Sequence, residues 1–140
     1  MKKTNSKVKK KISKFLNDIA WFFQINNFDK VITYKKEDKD GLAAEFTFEE
    51  DYQRITLWIY PIFSTHPLKE QVKFLIHELC HSITAPSKKA LYDFLDGRLI
   101  TPNRIKEINE TETSKIENIL DGLLQDKLKY AKIAYRNYLK

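Results

Sequence analysis

Residues 67–86 read PLKEQVKFLIHELCHSITAP, and this segment decides how the rest of the chain is interpreted. A proline at the first helical position, followed by apolar residues at helical spacing, predicts a helix over 68–85 that stops at Pro86. Because a four-residue step turns a helix through about 400°, His77 and His81 should project from one face, one turn apart. Two imidazole nitrogens at this separation can both reach one tetrahedral zinc ion.

Glu78 lies one position after the first histidine, beside the expected metal position rather than on it. A carboxylate there can take a proton from a water molecule that the metal activates. Cys80 falls about 100° from His81 around the helix, and we expect it to pack in the core. The apolar residues that place the motif inside a packed helix are Val72, Leu75, Ile76, Leu79 and Ile83. The segment therefore predicts His77 and His81 as zinc ligands and Glu78 as the catalytic base.

The third metal ligand is expected on the helix predicted over 101–124. Its apolar residues form one stripe, namely Ile105, Ile108, Ile116, Ile119 and Leu123. At about 100° per residue, Glu112 falls at about 340° from Ile105, inside this stripe, and Glu110 at about 140°. A carboxylate directed into a core is costly unless it is paired or bound to metal. Glu112 is therefore the predicted third ligand and Glu110 the second choice; the alternatives are a helix break near Asn109 or a pairing of Glu112 with a lysine.

The other segments predict one α+β domain that covers residues 1–140. Alternating or β-branched residues predict three strands, at 31–36, 44–49 and 53–60. Their simplest arrangement is an antiparallel meander, extended by an edge segment at Ile62-Phe63. Helical spacing predicts further helices at about 6–27, 87–96, 101–124 and 127–139. Thr101 and Pro102 should be the N-cap and the first residue of the third of these.

The net charge of +6 is concentrated near the N-terminus. The lysines there are Lys2, Lys3, Lys7, Lys9, Lys10, Lys11 and Lys14. We interpret residues 1–6 as a frayed, solvated basic arm, and the alternative is contact with an acidic partner such as nucleic acid. The single cysteine and the absence of an eighteen-residue apolar run favour a cytoplasmic protein that does not enter a membrane.

The motif at 77–81, followed about thirty residues later by a glutamate-bearing helix, resembles the glutamate zincins. The chain's small size and order of elements resemble compact metallopeptidases of phages, prophages and plasmids. The resemblance covers residues 42–124, and the NExxSD form of larger gluzincins is absent. It implies a zincin-like fold, His77 and His81 as ligands, Glu78 as base and a downstream glutamate as third ligand.

The predicted function is zinc-dependent hydrolysis of peptide bonds. A peptide would lie extended along the edge of the sheet, and Tyr92 and His66 are candidates for stabilising the oxyanion. The alternative function is a non-catalytic zincin-like binding module, associated with nucleic acid through the basic arm. The resemblance does not determine the substrate.

Overall fold

The computed structural model describes residues 2–49, 53–124 and 128–140, with side-chain burial for 6–49, 53–119 and 129–140. Its helices are α1 (Lys2–Ile19), α2 (Leu68–Leu95), α3 (Pro102–Leu124) and α4 (Leu128–Leu139). Its strands are β1 (Asp29–Tyr34), β2 (Ala44–Glu49) and β3 (Arg54–Ile59). The α+β class is confirmed.

The three strands form a mixed sheet in the order β1-β3-β2, so the predicted antiparallel meander is wrong. β2 pairs with β3 in antiparallel register, whereas β1 pairs with β3 in parallel. β3, in the middle, has the most thoroughly buried side chains of the three strands. The segment 35–43 between β1 and β2 is long enough to cross the sheet and does not impose a tight hairpin.

The core lies between the sheet and three of the helices. Ile32, Leu57 and Phe46 are register neighbours across the three strands, and all are buried. α1, α2 and α4 cover these strands with the buried side chains of Ile12, Phe15, Leu16, Val72, Leu75, Leu79, Ala134 and Tyr138. α3 contributes little to this cluster and packs on α2 instead. None of the described helices is long and apolar enough to cross a membrane.

The predicted stop of α2 at Pro86 is wrong, because the helix continues to Leu95. Pro86 has no N–H to donate to the Ser82 carbonyl, and its ring disturbs the hydrogen bonds of the adjacent helical turn. Two side chains of α3 supply the missing partners. Lys115 Nζ donates to Ser82 O at 2.9 Å, and Ser87 N donates to Glu112 Oε1 at 3.0 Å. Tertiary contacts thus allow one helix where sequence rules predict two.

The ends of the elements follow their local sequence signals. α2 ends where Gly97 adopts φ +79°, and Arg98 N donates to Asp93 O at 2.8 Å, as in a Schellman motif. Thr101 Oγ1 caps α3 by accepting from Arg104 N, as predicted. α1 begins at Lys2, earlier than predicted, so the described part of the basic segment is helical.

The predicted edge segment at Ile62-Phe63 is wrong. These residues lie in a short 3-10 helix, Pro61–Thr65, which leads from β3 towards α2. Pro61 has no N–H to donate to a strand ladder, and it sits well at the first turn of a helix. Phe63 is fully buried, so this turn anchors the start of α2 to the core.

Candidate metal centre

The motif residues lie together on the N-terminal half of α2, as predicted. One potential ligand atom from each of His77, Glu78 and His81 lies within 4.8 Å of those of the other two. The two imidazole rings stand edge to face, with their centroids 5.0 Å apart. Both histidines are exposed, whereas Glu78 is only 8% exposed. The site therefore offers two accessible nitrogen donors above one buried carboxylate.

The Glu78 carboxylate is held against the free edge of β2. Tyr60 N donates to Ala43 O at 3.0 Å, and antiparallel ladder bonds alternate along a strand. The backbone groups of Phe46 therefore point away from β3, towards α2. Burial raises the pKa of Glu78, while the charge of His77 and a hydrogen bond from the Phe46 N–H lower it in part. A carboxyl with a raised pKa suits a group that must both accept and return a proton.

A groove of about 420 Å³ runs from His81 along the second half of α2, with β2 as its other wall. The strand contributes Glu45, Phe46, Thr47, Phe48 and Glu49, and the helix contributes His81, Ala85, Lys88, Lys89, Tyr92 and Asp93. Its floor is partly aromatic and its rim is charged. Because β2 is an edge strand, an extended segment placed in the groove could pair with its unpaired backbone groups.

Lys88 lines the groove, and its positive charge acts on both Glu78 and His81 of the motif. Its charge contributes to lowering the pKa of His81, where burial is the largest cause and His77 adds to it. Among the described residues Lys88 has no acidic partner, whereas the neighbouring Lys89 pairs with Asp93 at 3.7 Å. Sequence analysis overlooked Lys88, although its spacing of seven residues from His81 places both on one helix face.

The structure does not bring the two predicted third-ligand candidates to the motif. The Glu112 carboxylate accepts from Ser87 N, beyond Pro86, and is not part of the group at His77. Glu110 is exposed on the surface of α3, beside Asn103. The stripe that contained Glu112 is only partly buried: Ile108 is covered and Ile105 and Ile116 are exposed. The Leu123 side chain lies outside the described residues, and the third ligand stays a prediction.

Other candidate residues divide between the groove and the surrounding surface. Tyr92 lines the groove, whereas the His66 ring packs edge-on against Phe74, with centroids 5.0 Å apart. Cys80 is exposed rather than in the core, which corrects that expectation. Partial burial of the Cys80 thiol still raises its pKa, so this thiol is less reactive than an ordinary one.

Comparison with known proteins gives no match. No protein-family model, curated protein or solved structure resembles this chain. The resemblance to the zincins therefore stays a prediction from the sequence, and the chemistry of the site has to be argued from its own geometry.

Proposed function

We propose that this chain is a zinc-dependent hydrolase that cleaves peptide bonds at the His77–Glu78–His81 site. The observation that carries the proposal is the convergence of two exposed imidazoles and one buried carboxylate within 4.8 Å, at the end of a groove along an edge strand. Helical spacing alone brings the two imidazoles together, so the proposal depends on the burial of Glu78 between them and on the substrate-sized groove beside them.

The donor set suits zinc. Imidazole nitrogen is a common zinc ligand, while calcium and magnesium prefer sites made only of oxygen. His77 and His81 would hold the ion; Glu112, the third ligand predicted from the sequence, accepts from Ser87 N instead in this structure. When bound, zinc supplies a Lewis acid that activates water and stabilises negative charge. A closed structural site would need four protein ligands, whereas three would leave a position open for catalysis.

Glu78 would act as the general base and then as the general acid. It would accept a proton from the attacking water and later donate a proton to the leaving amine. Its burial keeps the carboxylate away from competing solvent, and the Phe46 N–H fixes its orientation from the edge strand. Tyr92, a candidate oxyanion donor from the sequence, lies eleven residues after His81 on the continuous α2, about 16 Å along its axis, so it is too far from the motif for this role.

The groove defines how a substrate would lie. An extended peptide would pair with the outward backbone groups of Phe48, beyond the Phe46 N–H that holds Glu78, and place side chains against Phe48 and Ala85. Lys88, with no acidic partner among the described residues, would favour peptides that carry a carboxylate near the cleaved bond.

The metal is tested by zinc titration of the purified protein, with bound metal measured by mass spectrometry after dialysis. We expect one zinc per chain, and its loss in His77→Ala and His81→Ala. His66→Ala is the matched control, because it removes the third histidine of the chain, which packs on Phe74 away from the motif. Wild-type protein without near-stoichiometric zinc would refute the proposal.

Catalysis is tested with Glu78→Gln on a library of fluorogenic peptides. We expect this variant to keep its zinc and lose about 10²–10⁴-fold in turnover, the usual contribution of general acid–base catalysis. Glu49→Gln, a groove carboxylate outside the motif, should retain activity within a fewfold. If zinc binds but Glu78→Gln leaves every measured activity unchanged, the chain is instead a non-catalytic zincin-like binding module.

A further inference from the structure

The excess of positive over negative charge in the chain is located in and directly beside two helices, α1 and α4. Residues 1–19 and 128–140 together carry eleven of the 25 Lys and Arg side chains. Of the 19 Asp and Glu side chains, they carry only Asp18. The remainder is net acidic, with fourteen basic and eighteen acidic side chains. The surplus of +6 is therefore a local property of these helices rather than a general property of the surface.

Both helices direct their basic residues away from the core. In α1 the buried face contains Ile12 and Leu16, and the opposite face carries the exposed Lys7, Lys10 and Lys14. In α4 the buried face contains Ala134 and Tyr138. The opposite face carries the exposed Lys129, Lys132 and Arg136. At about 100° per residue, the basic stripe of each helix is centred roughly 180° from its buried stripe.

The helices that carry the two basic stripes pack side by side, so the stripes belong to neighbouring parts of the surface. The rings of Phe15 and Tyr138 meet edge to face, with centroids 5.3 Å apart. Lys11 Nζ lies 5.5 Å from the centre of the Tyr138 ring, so this lysine is positioned at the contact between the two helices. We call the exposed residues Lys7, Lys10, Lys14, Lys129, Lys132, Arg136 and Lys140, with Lys11 between the helices, the α1/α4 basic surface.

We propose that the α1/α4 basic surface binds the phosphate backbone of duplex nucleic acid without reading its sequence. α1 has 18 residues and is therefore about 27 Å long, a distance over which a duplex presents about 16 phosphates. Within the described residues of α1 and α4, Asp18 is the only acidic side chain, and it pairs with Lys14 at 2.8 Å. A dense cationic surface of this kind is the usual footprint of backbone binding.

Two other anionic partners fit the surface less well. A membrane-binding amphipathic helix inserts its apolar face among the lipids, but the apolar face of α1 is already buried against the sheet and α4. Single-stranded nucleic acid needs exposed aromatic rings on which bases stack. Tyr138 is buried, and the one exposed ring described in these helices, Tyr130, lies about 40° around α4 from the buried Ala134 and packs edge-on against Trp21, away from the basic stripe.

The proposal is tested by fluorescence anisotropy of a labelled 20-base-pair DNA duplex with the full-length protein. The binding constant is measured at several salt concentrations. We expect binding at low salt, with log K falling steeply against log salt, since each neutralised phosphate contributes about −0.9 to the slope. A single strand of the same length should bind more weakly.

The decisive variant is Lys7→Glu, Lys10→Glu and Arg136→Glu combined, all at exposed positions. We expect at least tenfold weaker duplex binding and a salt slope shallower by about three. The matched control carries the same charge change elsewhere, at Lys36, Arg54 and Lys106, which are also exposed. It should bind within threefold of the wild type, and circular dichroism checks that both variants fold.

Three outcomes would overturn the proposal. The first is that the wild type does not bind the duplex at low salt. The second is that both triple variants lose the same binding affinity, which would mean that binding depends only on the net charge of the protein. The third is tighter binding to vesicles that contain phosphatidylserine, with loss in the first variant only, which would assign the surface to a membrane. The proposal does not depend on zinc or on Glu78, so it can fail or succeed independently of the proposed hydrolase.

Discussion

The two halves of α2, residues 68–85 and 87–95, belong to one continuous helix but are covered very differently. The first half packs on the sheet and on α4, and Leu75 and Leu79 are 0% and 2% exposed. In the second half Leu91 and Leu95 are 57% and 68% exposed. Two described side chains of α3 bond to the backbone at the junction. The motif thus stands on the rigid half, and the groove extends along the half that is less well supported.

This difference separates two requirements of the proposed chemistry. Ligand geometry must be held closely, so His77 and His81 benefit from a helix that is anchored by buried leucines. A groove that admits peptides can tolerate movement, so Lys88 and Tyr92 can lie on a less covered turn. Substitutions in the two halves should therefore affect different quantities.

The largest expected difference is in the free energy of unfolding that is lost when a leucine is truncated to alanine. Leu75→Ala should lower the free energy of unfolding by about 2–5 kcal/mol, because it leaves a cavity in the core. Leu95→Ala should change it by less than about 0.5 kcal/mol, because that side chain is exposed. Urea denaturation measures both. Equal losses would mean that the second half is buried in solution, as it would be in an oligomer.

The next effect concerns the hydrogen bond between α4 and the first half of α2. Tyr138 donates to Gln71 Oε1 at 3.0 Å, and Gln71 Nε2 donates to the His66 carbonyl. Tyr138→Phe should cost about 1–2 kcal/mol, because it leaves a buried acceptor without a donor. Tyr34→Phe is the control: its buried hydroxyl has no partner in the described structure, so its removal should cost nothing or stabilise the fold. A loss in Tyr34→Phe as large as that in Tyr138→Phe would contradict this account.

A smaller effect is expected at the junction between the halves. Glu112→Ala removes the acceptor of Ser87 N and should cost about 1 kcal/mol. Glu107→Ala, which loses only an exposed pair with Arg104, should cost less than about 0.5 kcal/mol. Zinc titration of the same variants decides between the two roles of Glu112. From the observed contact we expect zinc affinity within threefold of the wild type, and a hundredfold loss would instead establish Glu112 as the third ligand.

The smallest effect is expected at Lys88, and it concerns selectivity rather than stability. Lys88→Gln should reduce the preference for acidic over neutral peptides by about two- to fivefold, as expected for one exposed charge. Lys89→Gln should change the preference less, because Asp93 already offsets that charge. Competition between paired peptides measures the ratio. A larger change in Lys89→Gln than in Lys88→Gln would show that the groove is used differently.

The sequence by itself determined the features that depend on local chemistry. Helical spacing placed His77, Glu78 and His81 on one turn, and Thr101 and Gly97 marked the ends of two helices. These features follow from backbone geometry over a few residues, which no distant part of the chain has to supply.

Tertiary structure alone decided which elements became neighbours. Strand order is one such choice, and β3 rather than β2 took the middle of the sheet. Pro86 stays inside a helix because Lys115 and Glu112 reach it from α3. Helical phase predicted Glu112 inside the apolar stripe of its helix, but phase says nothing about how far one helix slides along another. Packing set that position and placed the carboxylate beyond Pro86, at Ser87 rather than at His81.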